Sequence, residues 1–415
     1  MATAKVLVNF GEIAQRTERK EWRMTNLSKF YSHRGGILVN RVYILCQRYL
    51  DLELDDYTIG GIQTYIKNLV YVIQSINAIP VIIQYANKDY RCIKDGVTVI
   101  GVDTSKLKHI RHKNKKMHEA FDKEYATNKG LLLYATEGLV SPKHSQSIPT
   151  IAIQHGISWD KPRIVKTGVV EYEFRYWYKA LFQRITLKKI ENVKKLICVD
   201  YNYINWYRSL VAYPKFQYEV IPNFTEIPKD HLQKADSGNI KIIFARRFFE
   251  YRGTRIFGNA INKLLANNSN INVTIAGDGP DENWLREHVP ESNNVHYTKY
   301  DSHESLMIHS DKHIAVVPTI GSEGTSLSLL EAMASKCAVV CTNVGGMTNI
   351  VIDGYNGLMI NPNENDLYQA LKRLVDDQEL RNTLSERAFE TVVNAFSYER
   401  WANRWKSVFE ECMYE

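Results

Sequence analysis

Short β-branched runs alternate with longer amphipathic segments along most of the chain, and that alternation sets the fold class. "KVLVNF", "RVYILCQ", "IPVIIQY", "GVTVIGV", "LLLYAT", "TIAIQHG", "KLICVD" and "YEVIPN" are almost wholly apolar, as strands buried on both faces of a parallel sheet must be. A polar stretch with Pro and Gly at 224–239 suits a linker. A second series follows it: "IKIIFA", "NVTIAG", "VHYTKY", "IAVVPT", "AVVCTN" and "GLMIN". Between them "SLSLLEAMAS" and "ENDLYQALKRLVDD" carry apolar residues at helical spacing, and "YERWANRWKSVFEECM" makes a last helix. The pattern predicts an α/β chain of two Rossmann-like parallel-sheet domains, one over 1–225 with 1–40 as an extension, the other over 226–395. The final segment, 396–415, is expected to return to the first domain. Strand order does not follow from the pattern. Ligands of such sheets sit beyond the carboxyl ends of the strands, so the cleft between the two domains is the expected site.

Composition adds limits to this picture. With 415 residues, 44% hydrophobic and 24% charged, the chain fits a two-domain globular protein and not a disordered one. No apolar run reaches the ~18 residues of a membrane-spanning helix. The opening "MATAKVLVNFGEIAQRTERKEWR" puts charges where a signal peptide needs an apolar core, so a cytoplasmic address is expected. Cys46, Cys92, Cys198, Cys337, Cys341 and Cys412 are too dispersed for a zinc cluster and are expected to be reduced thiols. The net charge of +7 matters less than its distribution. Six of the twelve residues in "SKLKHIRHKNKK" (105–116) are Lys or Arg. The aromatic stretch "EYEFRYWYKALFQRITLKKI" (171–190) carries Arg175, Lys179, Arg184, Lys188 and Lys189. Three readings stay open for these segments: a solvated face, peripheral contact with an anionic membrane, or RNA binding.

The chemistry concentrates in "IAVVPTIGSEGTSLSLLEAMA", which reads as strand, Gly-containing loop and helix, with Thr325, Ser326 or Ser328 as the N-cap. The free N–H groups and positive end of such a helix favour phosphate. Glu323 and Glu331, separated by seven residues, then lie on the loop and early in the helix. Beside a phosphate a carboxylate needs hydroxyl partners, which a nucleotide sugar provides. Taken on spacing alone, they are equally a solvated loop residue and a first-turn glutamate favoured by the helix dipole.

The wider context, "PTIGSEGTSLSLLEAMASKCAVVCTNVGGMTNIVIDGYNGLMINP" (318–362), resembles the nucleotide-sugar-binding half of the retaining family 4 glycosyltransferases of GT-B fold. "FARRFFEYRG" (244–253), "IAGDGP" (275–280) and "FSYERWANRW" (396–405) add to the resemblance. It implies a GT-B fold, two Rossmann-like domains facing across a cleft, and transfer of a sugar from a UDP- or GDP-linked donor to a glycan or lipid-linked acceptor. It further implies retention at the anomeric carbon, no cofactor and no required metal; "LDD" (54–56) is the nearest approach to a metal motif. On this likeness Glu323 contacts the donor sugar and Glu331 the ribose, with Gly324, Thr325, Ser326 and Leu327 as further donor contacts. Arg247 falls on the family's arginine and Arg252 on its lysine, the pair that clamps the diphosphate. His155 would face the donor sugar, and "YTIGGIQTYIKNLVYVI" (57–73) supplies Gly60 and Gly61. Two departures stand out: Asn349 where the family usually has glutamate, and Lys299 where it commonly has glycine. A non-catalytic sugar-nucleotide or glycan-binding protein of the same fold is the main alternative. RNA binding is a more distant one, and no nucleic-acid partner is expected on the first reading.

Overall fold

The computed structural model describes residues 41–51, 56–58, 60–157, 188–211, 216–228, 234, 238–268, 270–321 and 323–414. The expected extension, with its strand "KVLVNF", lies outside the described residues, as do most of 171–190 and all of "LDD" except Asp56.

The first series builds β1 (Arg41–Cys46), α1 (Gly61–Ser75), β2 (Ile79–Ala86), β3 (Tyr90–Lys94), β4 (Val97–Asp103), α2 (Ile110–Thr127), β5 (Leu131–Tyr134), α3 (Pro142–Ser145), β6 (Thr150–Gln154), β7 (Lys195–Cys198), α4 (Tyr201–Leu210) and β8 (Gln217–Val220). These strands form one sheet in the order β3-β4-β2-β1-β5-β6-β7-β8. Alternate residues of β1 serve opposite faces. Val42 and Ile44 join the core under α1 with Leu69 and Ile73. Tyr43 and Leu45 join Met117 and Phe121 of α2. β3 is an addition to the predicted strands. It pairs antiparallel with β4 so that Lys94 opposes Val97, leaving the two-residue turn Asp95–Gly96 with φ of 48° and 77°. Asp-Gly suits such a turn because both residues must take positive φ.

The second series builds β9 (Ile240–Ala245), α5 (Thr254–Asn267), β10 (Ile271–Ala276), α6 (Glu282–His288), β11 (Val295–Thr298), α7 (Ser305–His309), β12 (Ile314–Val317), α8 (Leu327–Ala334), β13 (Ala338–Thr342), β14 (Leu358–Ile360), α9 (Glu364–Asp376), α10 (Gln378–Ala395) and α11 (Tyr398–Tyr414). Its sheet order is β11-β10-β9-β12-β13-β14, parallel at every pairing. The order reverses between β9 and β12, and in the first sheet between β1 and β5; such reversals are where doubly wound sheets open a ligand crevice.

α11 packs on the first sheet and not the second. Trp401, Trp405 and Phe409 lie in the core under α1, and the Trp405 indole N–H donates to Tyr65 Oη at 2.7 Å. Arg404 pairs with Glu219 at 2.9 Å, and Lys195 pairs with Glu411. Thr225, leaving the first sheet, donates its N–H to Phe396 O at 3.0 Å, so the outgoing and returning segments run side by side.

Candidate active site

The loop between β12 and α8 carries Glu323, and its carboxylate lies inside the protein. Glu323 Oε2 accepts from Arg246 Nη2 at 2.6 Å, from Arg252 Nη1, and from Thr319 Oγ1 at 3.0 Å. Burial pushes the carboxyl pKa up, but the two guanidiniums outweigh it and hold Glu323 below its usual value. Arg246 is itself buried, its Nη1 donating to Ser328 Oγ at 2.7 Å and Ser326 Oγ at 3.3 Å. Ser326 is the N-cap of α8 but makes no side-chain cap bond. A guanidinium therefore sits at the positive end of a helix, an arrangement that only an anion relieves. Two guanidiniums face Glu323 there, and the Glu331 carboxyl also lies within electrostatic reach of Arg246.

Backbone geometry fixes the loop. Gly345 has φ of 58°, and a Cβ on it would stand 2.1 Å from Glu323 O. Its neighbour Gly346 donates its N–H to that same carbonyl at 3.0 Å. The Gly-Gly turn after β13 thus clasps the Glu323 loop at a distance no side chain would allow.

The two sheets meet at this loop. A Cβ on Gly324 would lie 2.9 Å from His155 O, and one on Gly156 would lie 2.9 Å from Gly324 Cα. Thr325 Oγ1 donates to Val199 O, and Asn223 Nδ2 donates to Thr325 O at 2.8 Å. Asn349 Oδ1 accepts from the Tyr201 N–H at the start of α4, at 3.0 Å. The departure at 349 thus has a use: a neutral amide oxygen receives a helix N-terminal N–H across the cleft.

The structure brings some expected residues together and leaves others apart. Glu323, Arg252, Gly324, Thr325, Ser326 and Leu327 belong to one cluster. Glu331 is half-buried on α8 and accepts from Ser305 Oγ at 2.6 Å; burial raises its pKa. His155 ends β6, where Nε2 lies 2.9 Å from Ala135 O and the ring packs edge-on against Tyr65 at 5.2 Å. Burial lowers its pKa to about 4, so it is neutral and Nε2 carries the proton given to Ala135. Gly60 and Gly61 open α1 one turn before Tyr65 and follow β1, and a Cβ on either would meet no residue of the Glu323 cluster. Arg247 is exposed, its guanidinium over the Phe249 ring at 5.7 Å. It is Arg246 that turns inward. Adjacent residues leaving a strand point to opposite sides, so only one arginine of the pair can enter the site. Lys299 is exposed, 4.0 Å from Asp278.

Among the described residues, only Asp301, His303 and Glu304 lie close enough to share a metal ion. Asp301 with Glu304 already forms a reciprocal capping pair.

Residues 226–391 match the family described as Glycosyl transferases group 1. An uncharacterised glycosyltransferase of Methanocaldococcus jannaschii is 29% identical over 284 residues, 65% of this chain and 70% of that protein. Sucrose-phosphate synthase from Thermosynechococcus elongatus superposes with a TM-score of 0.71 at 18% identity, over 90% of this chain and 98% of that one. The Anabaena protein HepE in complex with UDP superposes with a TM-score of 0.66 at 12% identity, over 89% of this chain and 100% of that one. The fold is therefore GT-B, and the second half of the chain is a glycosyl transferases group 1 domain. Both the fold and the matched domain are like those of glycosyltransferases of GT-B type.

Proposed function

We propose that the protein is an anomer-retaining glycosyltransferase that moves a sugar from a nucleoside diphosphate, UDP- or GDP-linked, to a hydroxyl of a glycan or lipid-linked acceptor in polysaccharide or glycoconjugate synthesis. The observation that carries this reading is the convergence of Arg246 and Arg252 on Glu323 at the start of α8. A diphosphate seated there meets helix N–H groups and two guanidiniums, which stabilise the charge that grows as its bond to the sugar breaks. The guanidiniums then leave Glu323, whose carboxylate is free to take sugar hydroxyls. Glu331 lies on the same helix for the ribose.

In this reading the acceptor hydroxyl attacks the anomeric carbon from the face that the diphosphate leaves. The carbon–phosphate-oxygen bond breaks, the new carbon–oxygen bond forms on that face, and the hydroxyl proton passes to the leaving phosphate oxygen. Atoms balance without an enzyme nucleophile, and the guanidiniums meet the diphosphate charge without a metal ion. UDP appears in the described complex of HepE, which supports a nucleotide donor.

Peripheral contact with an anionic membrane belongs to the same proposal. Lys106, Lys108, Ile110 and Arg111 are exposed at the start of α2. No described helix is long and apolar enough to cross a membrane. The test of the function is release of nucleoside diphosphate from a panel of sugar nucleotides by wild type and Glu323→Gln, with the product anomer read by NMR. Release that disappears in the variant, with retained configuration, supports the reading; inverted product refutes retention, and equal release from both proteins refutes the site.

A further inference from the structure

Glu137 is a second carboxylate at the mouth of a sheet, that of the first sheet. It directly follows β5, which pairs with β1 on one side and β6 on the other. The order of the first sheet reverses at β1 and β5, so Glu137 stands at that sheet's crevice, as Glu323 does at the crevice of the second. A short path of contacts links the two. Ala135, two residues before Glu137, accepts from His155 Nε2, and the His155 carbonyl abuts Gly324. Glu137 is half-buried, yet among the described residues no other side chain donates to its carboxylate and no cation pairs with it. A partly desolvated carboxylate whose hydrogen bond comes from its own backbone alone is costly unless something else supplies more.

We propose that Glu137 binds the acceptor: its carboxylate takes a hydrogen bond from the incoming hydroxyl, or from water in its place, and aims it at the donor. The subsite thus selects a neutral hydroxyl-bearing group and rejects a phosphate or carboxylate. This rests on the donor reading above, and Glu137 takes no part in holding the nucleotide.

Among the described residues, the titratable groups within electrostatic reach of it are Cys198 on β7 and Tyr203 on α4. Burial raises both, so both are neutral near pH 7. Burial lifts Glu137 itself to about 7.

The experiment uses whichever nucleotide stabilises the wild type, with the matching sugar nucleotide hydrolysed to water as surrogate acceptor. Glu137→Gln is expected to lower kcat at least tenfold, leave KM for the donor and the nucleotide-induced stabilisation unchanged, and abolish a wild-type rise in kcat between pH 6 and 8. Glu137→Asp, which keeps the charge on a shorter arm, is expected to retain the pH rise at a reduced rate. Unchanged kcat and pH profile in a Glu137→Gln protein that still responds to nucleotide overturns this proposal alone. Absence of any nucleotide response in wild type overturns the donor reading and this inference with it.

Discussion

Arg246→Ala and Arg247→Ala differ by one position and separate two accounts of the site. Arg246 is buried, pairs with Glu323 at 2.6 Å and donates to Ser328 at 2.7 Å. Removing one partner of a buried ion pair costs about 3–5 kcal/mol when the other is left alone. Here Glu323 keeps Arg252 and Thr319, so the expected cost falls to about 2–3 kcal/mol, near that of a lost hydrogen bond to a charged group. For a domain of the size matched over 226–391, each kcal/mol shifts the midpoint by roughly 2–4 °C, giving about 4–12 °C for Arg246→Ala. Arg247 is exposed and rests only on the Phe249 ring, so its alanine variant should change stability by no more than about 0.5 kcal/mol. Nucleotide affinity should follow the same split, with roughly a tenfold to hundredfold loss for Arg246→Ala, one charged hydrogen bond's worth. The assay is thermal unfolding of the two variants with and without nucleoside diphosphate. Loss of stability and binding in Arg247→Ala, with Arg246→Ala unaffected, would refute the inward placement of Arg246.

Other outcomes follow from the same geometry. Glu323→Gln should abolish turnover yet bind nucleoside diphosphate at least as tightly as wild type, because the neutral amide no longer competes with phosphate for the arginines; isothermal titration reads this directly. Thr325→Val removes the hydroxyl donated to Val199 across the cleft and should cost about 1 kcal/mol, visible as faster hydrogen exchange at the starts of α4 and α8. Trp405→Ala should destabilise the first domain by about 3–5 kcal/mol, since the indole is fully buried against α1, and chemical denaturation should show that domain unfolding first. Glu137→Gln should stabilise the protein at pH 8 and lose that advantage below about pH 4.5, the ordinary glutamate range. The sign follows from a raised native pKa: between that range and about 7 the native carboxyl holds a proton that the unfolded chain has released, so wild-type stability falls as pH rises through the window.

Much of the fold was legible because strands buried on both faces are nearly continuous apolar runs; every strand of the second sheet overlaps a run marked in the sequence. β3 escaped because it is a short edge strand with an interleaved polar pattern, although the Asp-Gly pair was there to be read. Sheet order had no local signature, since crossovers depend on how helices cover the sheet. Gly60 and Gly61 follow β1 and open α1. At the site, Glu323 and Arg252 were named through the resemblance, since spacing alone left a solvated loop residue equally open. Arg246 could not be told from Arg247 without knowing which side of the strand end faces the crevice. Glu137 had no motif around it, because its position depends on β5 lying between β1 and β6, a fact of topology alone.

The central claim, a nucleoside diphosphate held by Arg246 and Arg252 at the start of α8, is tested most directly by thermal unfolding against UDP, GDP, ADP and CMP in wild type and in Arg246→Ala. A ligand at ~100 times its Kd adds about 2.7 kcal/mol to the native state. The account predicts that a nucleoside diphosphate, UDP or GDP, raises the wild-type midpoint and has little effect on the variant. Equal stabilisation of both proteins, or of neither by any nucleotide, would contradict it.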